Sequence, residues 1–258
     1  MYHYLLKFLL VLLFLFQLSS VLAQTESEKT PVVRHFNGTI TATSNGISII
    51  PFFSLGRPAF LFDLSLGGER FTFDPMMRFG MNGKPWSFVF WGRYKLVNNP
   101  KFKLRVGAHP AFLFQEREIL VDGKPKNVLV ANRFLTFEIA PTYVISQRSS
   151  LGLYFLNGNG INPYPPDHTY FLGLTWTLNN FPLSETLRFQ MTPQVYYLKV
   201  DANDGIYGTS TFTLTKTNFP IGLQSTINQK IKSNIDGNDM VWNLSLVYNF
   251  ANEYRKQK

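Results

Sequence analysis

Between residues 47 and 250, apolar and polar side chains alternate with a period of two, in segments separated by clusters of Gly, Asn, Pro and Asp. An extended chain puts successive side chains on opposite faces, so these segments are predicted as β-strands. In 70–80, Phe71, Phe73, Met77 and Phe79 share one face, and Arg70, Thr72, Asp74 and Arg78 share the other. Residues 81–85 carry hairpin-loop chemistry. Then 86–96 repeats the scheme, with Trp86, Phe88, Phe90 and Tyr94 opposed to Ser87, Arg93 and Lys95. In 101–109, Phe102, Leu104 and Val106 oppose Lys101, Lys103, Arg105 and His109. Continued along the chain, the pattern predicts about twelve strands, at 47–54, 58–66, 69–80, 86–97, 101–115, 130–146, 149–159, 168–178, 185–200, 205–215, 219–231 and 239–250. No helical period or long repeat interrupts them, which predicts one antiparallel all-β domain.

The two faces differ in charge. Mid-strand positions on the aromatic face are uncharged, as in Leu135, Phe137 and Ile139 or Leu172, Leu174 and Trp176, whereas the opposite face holds Asp63, Arg78, His109, Arg188 and Lys230 beside those already named. A soluble barrel or sandwich would turn the aromatic face inward. A membrane barrel would turn it to lipid, where a midplane Lys or Arg costs about 2–4 kcal/mol. The absence of such charges favours the second reading, a transmembrane antiparallel up-and-down β-barrel of about twelve strands. Trp86, Tyr94, Tyr143, Tyr170, Trp176, Tyr197, Trp242 and Tyr248, near strand ends, then read as interfacial girdles. Pro75, Pro110, Pro141 and Pro193 fall within strands on the lipid-facing parity and predict bulges or local bends. Connections after odd-numbered strands, such as 116–129, 160–167 and 232–238, are longer than most after even-numbered ones, which places the N-terminal end in the periplasm.

Composition supports export to such a site. Residues 1–23 carry a basic start, an apolar stretch to Phe16 and a Val21-Leu22-Ala23 close, the pattern of a cleaved signal peptide. Residues 24–46 read as a polar periplasmic lead-in that either stays flexible or folds into the lumen, 47–250 as the barrel and 251–258 as a periplasmic tail. The mature part, roughly 235 residues, suffices for one domain. Cysteine is absent, which excludes disulfides and a lipoprotein anchor. The chain is 16% aromatic at a mean hydropathy of −0.04, and no stretch after residue 23 is long and apolar enough for a spanning helix.

A formal net charge of +9 points to anionic solutes or lipid as partners; nucleic acid is not expected for an exported protein. The strand assignment gathers Arg70, Arg93, Lys95, Lys101, Lys103 and Arg105 on neighbouring strands toward the periplasmic end, with Asp63, Asp74 and Glu138 on the same lumen face. They form either an electropositive constriction favouring anions or a structural wall of cross-strand salt bridges, joined by Glu26 and Glu28 of the lead-in. No metal-ligand spacing, nucleophile elbow or phosphate loop appears, so no cofactor and no enzymatic activity are expected.

The segment Trp242-Asn-Leu-Ser-Leu-Val-Tyr-Asn-Phe250 resembles the terminal strand of Gram-negative outer-membrane β-barrels, with Trp242, Leu244, Leu246 and Tyr248 alternating up to the aromatic Phe250. The resemblance implies recognition by the barrel assembly machinery and residence in the outer membrane. It departs from the usual pattern in the residues that follow Phe250. The Phe- and Asn-rich style is also similar to uncharacterised barrels of Bacteroidota. Outer-membrane lipid hydrolases place a His and a Ser on the lipid side, whereas His109 has lumen parity. The expected function is a porin-like channel or small-solute transporter. The alternatives are a non-conducting surface or anchoring barrel, with 116–129 and 160–167 as contact loops, and, third, a lipid hydrolase.

Overall fold

In the computed structural model, residues 33–121, 124–161 and 166–255 are described; the signal peptide read at 1–23 lies outside them. Twelve strands follow one another around a closed barrel: β1 Val33–Thr43, β2 Ala59–Gly67, β3 Phe71–Gly80, β4 Pro85–Asn98, β5 Phe102–Val121, β6 Lys124–Ser146, β7 Ser149–Gly160, β8 His168–Pro182, β9 Leu187–Val200, β10 Asn203–Lys216, β11 Ile221–Ser233 and β12 Met240–Arg255. Consecutive strands pair antiparallel. The barrel closes where β12 meets β1: Ser44 N donates to Leu244 O at 2.9 Å and Asn252 N to Asn37 Oδ1 at 3.1 Å. Closure leaves no sheet edge, which is the condition for strands to cross a bilayer.

The faces divide as the alternation predicts. Leu135, Phe137 and Ile139 on β6, Leu153 and Phe155 on β7, and Leu172, Leu174 and Trp176 on β8 are all exposed on the outer wall. Between them, Thr136, Glu138, Ala140, Thr169 and Phe171 are buried inside. An unbroken apolar outer wall far exceeds the patch a soluble monomer shows to water, and it is what a lipid-facing surface requires.

Four expectations are corrected. The first strand is Val33–Thr43, not 47–54, so the lead-in read at 24–46 contributes a barrel strand; residues 44–58 instead link β1 to β2 and contain a single 3₁₀ turn, Pro51–Phe53. One strand is lost and one gained, so the strand count and the loop parity are unchanged. The tail read at 251–258 continues β12 as far as Arg255, because β1 offers it a partner. The loop read at 116–129 is paired strand from Glu116↔Leu129 to Val121↔Lys124. β4 pairs with β5 only up to Leu113, and β7 with β6 only up to Phe134, so beyond these the hairpin stands as a two-stranded ribbon past the rim.

The four prolines introduce no bulge. Pairing lapses beside Pro75 between Asp63↔Met76 and Leu66↔Phe73, beside Pro110 between Val89↔Ala111 and Gly92↔Ala108, beside Pro141 between Ile139↔Phe155 and Thr142↔Gly152, and beside Pro193 between Thr175↔Gln194 and Leu178↔Met191. In each case the register resumes unchanged. The opposite neighbour pairs through the proline, as in Pro75↔Phe90 and Pro110↔Leu135. A missing N–H removes a donor on one side only, so the ladder opens locally without gaining a residue. Register shifts occur elsewhere, among them between Arg78 and Phe79 opposite β4.

Candidate functional site

That register shift repositions a tryptophan. Arg78 pairs with Ser87 but Phe79 with Pro85, so Trp86 is the extra residue and Trp86 and Ser87 are both buried. Trp86 was read as part of an outer girdle. It instead packs inside with Ala59, Leu113 and Phe134, while Trp176, Trp242, Tyr94, Tyr143, Tyr170, Tyr197 and Tyr248 are exposed. Its Nε1 donates to Phe53 O at 2.8 Å and so holds the β1–β2 connection within the barrel mouth.

The connection is also anchored on the opposite wall. Phe171, Tyr196 and Tyr207, on β8, β9 and β10, form a stack with centroid separations of 4.9 and 5.1 Å, and Ile50 packs against their cluster. Tyr196 Oη lies 2.9 Å from Asn228 Oδ1 and 3.4 Å from Ile49 O. Residues 47–53 thus lie across the lumen at the long-loop end, between two buried apolar clusters. Their apolar character, read as strand, serves this inward packing.

Below this segment the lumen has two unlike halves. Under β3–β7, polar side chains converge on Glu138, which is 2% exposed. Arg93 donates from Nε to Glu138 Oε1 at 2.9 Å and from Nη2 to Oε2 at 3.2 Å, and Arg105 Nε donates to Oε1 at 2.9 Å. Tyr154 Oη adds a fourth donor at 2.8 Å. Arg93 Nη1 also donates to Asp74 Oδ2 at 3.0 Å, and Asp74 accepts from Ser65 and Thr72 as well. Two low-dielectric carboxylates are therefore fully partnered, which is how buried charge is tolerated.

The other half is a cavity of about 690 Å³ walled by β9–β12, β1 and β2. Thr39, Thr41 and Thr43 face it from β1, Thr209, Thr211, Thr213 and Thr215 from β10, and Gln190, Gln194, Gln224, Asn228, Asn243 and Asn249 from the remaining wall. Asp63 alone among its lining residues is charged. Residues 45–49 bound it at one end. This threonine and amide wall was not singled out in the sequence, although Thr at every second position from 209 to 215 is a visible signal.

The six basic residues divide into two groups. Arg93 and Arg105 are bound to Glu138. Arg70 and Lys101 sit exposed in the turns at 68–70 and 99–101, Lys103 is exposed and Lys95 partly so, all toward the short-turn rim. Asp63 lies 4.0 Å from Arg78. The mid-lumen arginines 78, 93 and 105 thus face Asp63, Asp74 and Glu138. Glu26 and Glu28 fall outside the described residues. At the other rim, Lys84 holds the exposed Glu116 carboxyl below the usual carboxylate range. His109 is 6% exposed, inside the barrel, with its ring 3.9 Å from that of Trp91. Among the described residues no cluster of His, Asp and Glu is placed to hold a metal ion. Trp242, Leu244, Leu246 and Tyr248 form an exposed outer row on β12, and Phe250 continues it, its ring 5.2 Å from that of Phe36 on β1.

No family model matches the chain, and no curated protein matches it. Among solved structures it is similar to a KdgM porin in complex with disordered oligogalacturonate, at a TM-score of 0.51 and 8% identity over 84% of this chain and 99% of that one. A second KdgM porin structure gives 0.51 and 9% over 83% and 99%. The β domain of the Bordetella autotransporter Brka scores 0.43 at 9% identity over 85% and 98%. At such identities the likeness concerns architecture: the chain has the closed antiparallel fold of outer-membrane β-barrels.

Proposed function

We propose that the protein is a porin-like channel of the outer membrane for small hydrated solutes, with its path along the threonine and amide wall of β9–β12, β1 and β2. The 690 Å³ cavity, lined mainly by uncharged hydroxyl and amide groups with Asp63 its one charged residue, and enclosed by an apolar outer wall, carries this reading. Such groups replace water around a passing solute without holding it, as conduction requires. Because the mid-lumen arginines are balanced by acids, any anion preference comes from Arg70, Lys95, Lys101 and Lys103 at the short-turn rim and is mild. Residues 47–53 narrow the path at the other end. Export through the signal peptide at 1–23, bilayer lipid around the outer wall and recognition of the Trp242–Phe250 row by the assembly machinery complete the proposal.

Planar-bilayer recording of the purified barrel tests it. Ohmic steps are expected, and they should enlarge when 45–57 is replaced by a short Gly/Ser linker. No conductance above background from either form overturns the reading. The anchoring of 47–53 to both walls favours a second reading, a closed barrel acting through its β5–β6 ribbon; ohmic steps from the intact protein would exclude that one. With His109 inside the barrel, away from lipid, a hydrolase ranks third.

A further inference from the structure

Behind residues 47–53, on the side away from the threonine wall, lies a second cavity of about 390 Å³, within the lower range of small-molecule pockets. Its body is apolar, formed by Trp86, Val89, Trp91, Leu113, Phe134 and Phe171. Its charged lining is of one sign: Arg78, Arg93 and Arg105 contribute and no carboxylate does. Arg93 and Arg105 are engaged with Glu138. Arg78 is held more loosely. Its guanidinium lies 5.5 Å above the Trp86 ring, its ion pair with Asp63 is at 4.0 Å, and its buried Nε has no hydrogen-bond partner.

A buried donor without a partner is destabilising, and native interiors rarely leave one so. A cavity of apolar body, arginine end and an unpartnered guanidinium nitrogen is complementary to one class of molecule. We infer that it binds a small amphipathic anion, a monocarboxylate with an alkyl or aryl body, its head on Arg78 and its body along Trp91 and Phe134. The site is distinct from the proposed path: the two cavities share only Ile47, Ser48 and Ile49 among their lining residues.

The mature barrel, refolded into amphipol so that no detergent monomer competes, is titrated with octanoate, 1-octanol and acetate. The readout is the fluorescence of Trp86 and Trp91 after Trp176→Phe and Trp242→Phe remove the outer-wall tryptophans. Saturable octanoate binding is expected, with octanol about tenfold weaker or more and acetate silent, since a charge-assisted hydrogen bond distinguishes them. Arg78→Met should weaken octanoate about tenfold and leave octanol unchanged. The inference is overturned by non-saturable octanoate binding, by octanol binding equally tightly, or by an indifferent Arg78→Met. If that variant does not fold, Ala111→Leu, which takes up cavity volume without touching a polar atom, must weaken octanoate and octanol together. Unaltered binding in Ala111→Leu also overturns it.

Discussion

Arg93 on β4 and Glu138 on β6 share two hydrogen bonds, at 2.9 and 3.2 Å, across the inner face of the strand between them. They meet there because the intervening β5 position, Gly107, has no side chain: a Cβ on it would come within 3.0 Å of Arg93 and 3.1 Å of Glu138. Glu138 is the single carboxylate answering Arg93, Arg105 and Tyr154 at once. Glu138→Gln leaves Arg93 with Asp74 alone and the half-exposed Arg105 without its carboxylate, and a destabilisation of about 3 kcal/mol is expected. Urea unfolding of the barrel in lipid vesicles measures it. Combining Glu138→Gln with Arg105→Met, which leaves Arg93 paired with Asp74, should recover part of the loss, and a cost below about 1 kcal/mol for the single variant would contradict the assignment.

Tryptophan depth checks the bulge at Trp86. In single-tryptophan variants reconstituted with brominated lipid, Trp176 and Trp242 should be quenched strongly, and Trp86 and Trp91 hardly at all, because the first pair faces lipid and the second lies inside. Quenching of Trp86 equal to that of Trp242 would return it to the outer girdle.

That case also shows where sequence patterning stops being legible. Alternation identified the lipid face, the strand number and the inward placement of Asp74, Arg93 and Glu138, because lipid punishes charge at every outward mid-strand site. A one-residue bulge reverses parity locally and leaves no mark in composition, so Trp86 was misplaced. β1 was missed because its outward positions include Gly38 and Ala42 and its inward ones Thr39, Thr41 and Thr43, a weak contrast. The neighbouring Ile47, Ile49 and Ile50 are apolar because they are packed inside the barrel, and alternation cannot tell such a segment from a strand. The pairing of Arg93 with both Asp74 and Glu138 depended on register across four strands, β3 to β6, which no local pattern supplies.

Charge placed on the two faces should have opposite consequences. Leu174→Arg, midway along β8 on the outer wall, is expected to cost about 2–4 kcal/mol. Thr211→Arg, facing the cavity from β10, should cost less than about 1 kcal/mol and shift the reversal potential toward anions. Equal destabilisation by the two substitutions would undo the assignment of faces.

The proline gaps should be visible in hydrogen exchange. Residues 90–91 on β4 and 153–154 on β7 pair with β3 and β8 but not across to β5 and β6 beside Pro110 and Pro141, and their amides are expected to exchange faster than those of residues paired on both sides. Uniform protection along β4 and β7 would show that the ladder is closed there.

The most direct measurement of the central claim uses the absence of cysteine from the chain. Thr211 faces the cavity, with its Oγ1 3.0 Å from that of Thr226, whereas the next residue, Phe212, packs its ring 6.4 Å from that of Phe189 and has the opposite parity. Single-channel current is recorded through Thr211→Cys and Phe212→Cys before and after adding a charged, water-soluble methanethiosulfonate. The account predicts a stepwise fall in current for Thr211→Cys and none for Phe212→Cys. An unmodified current through Thr211→Cys, or a fall confined to Phe212→Cys, would contradict it.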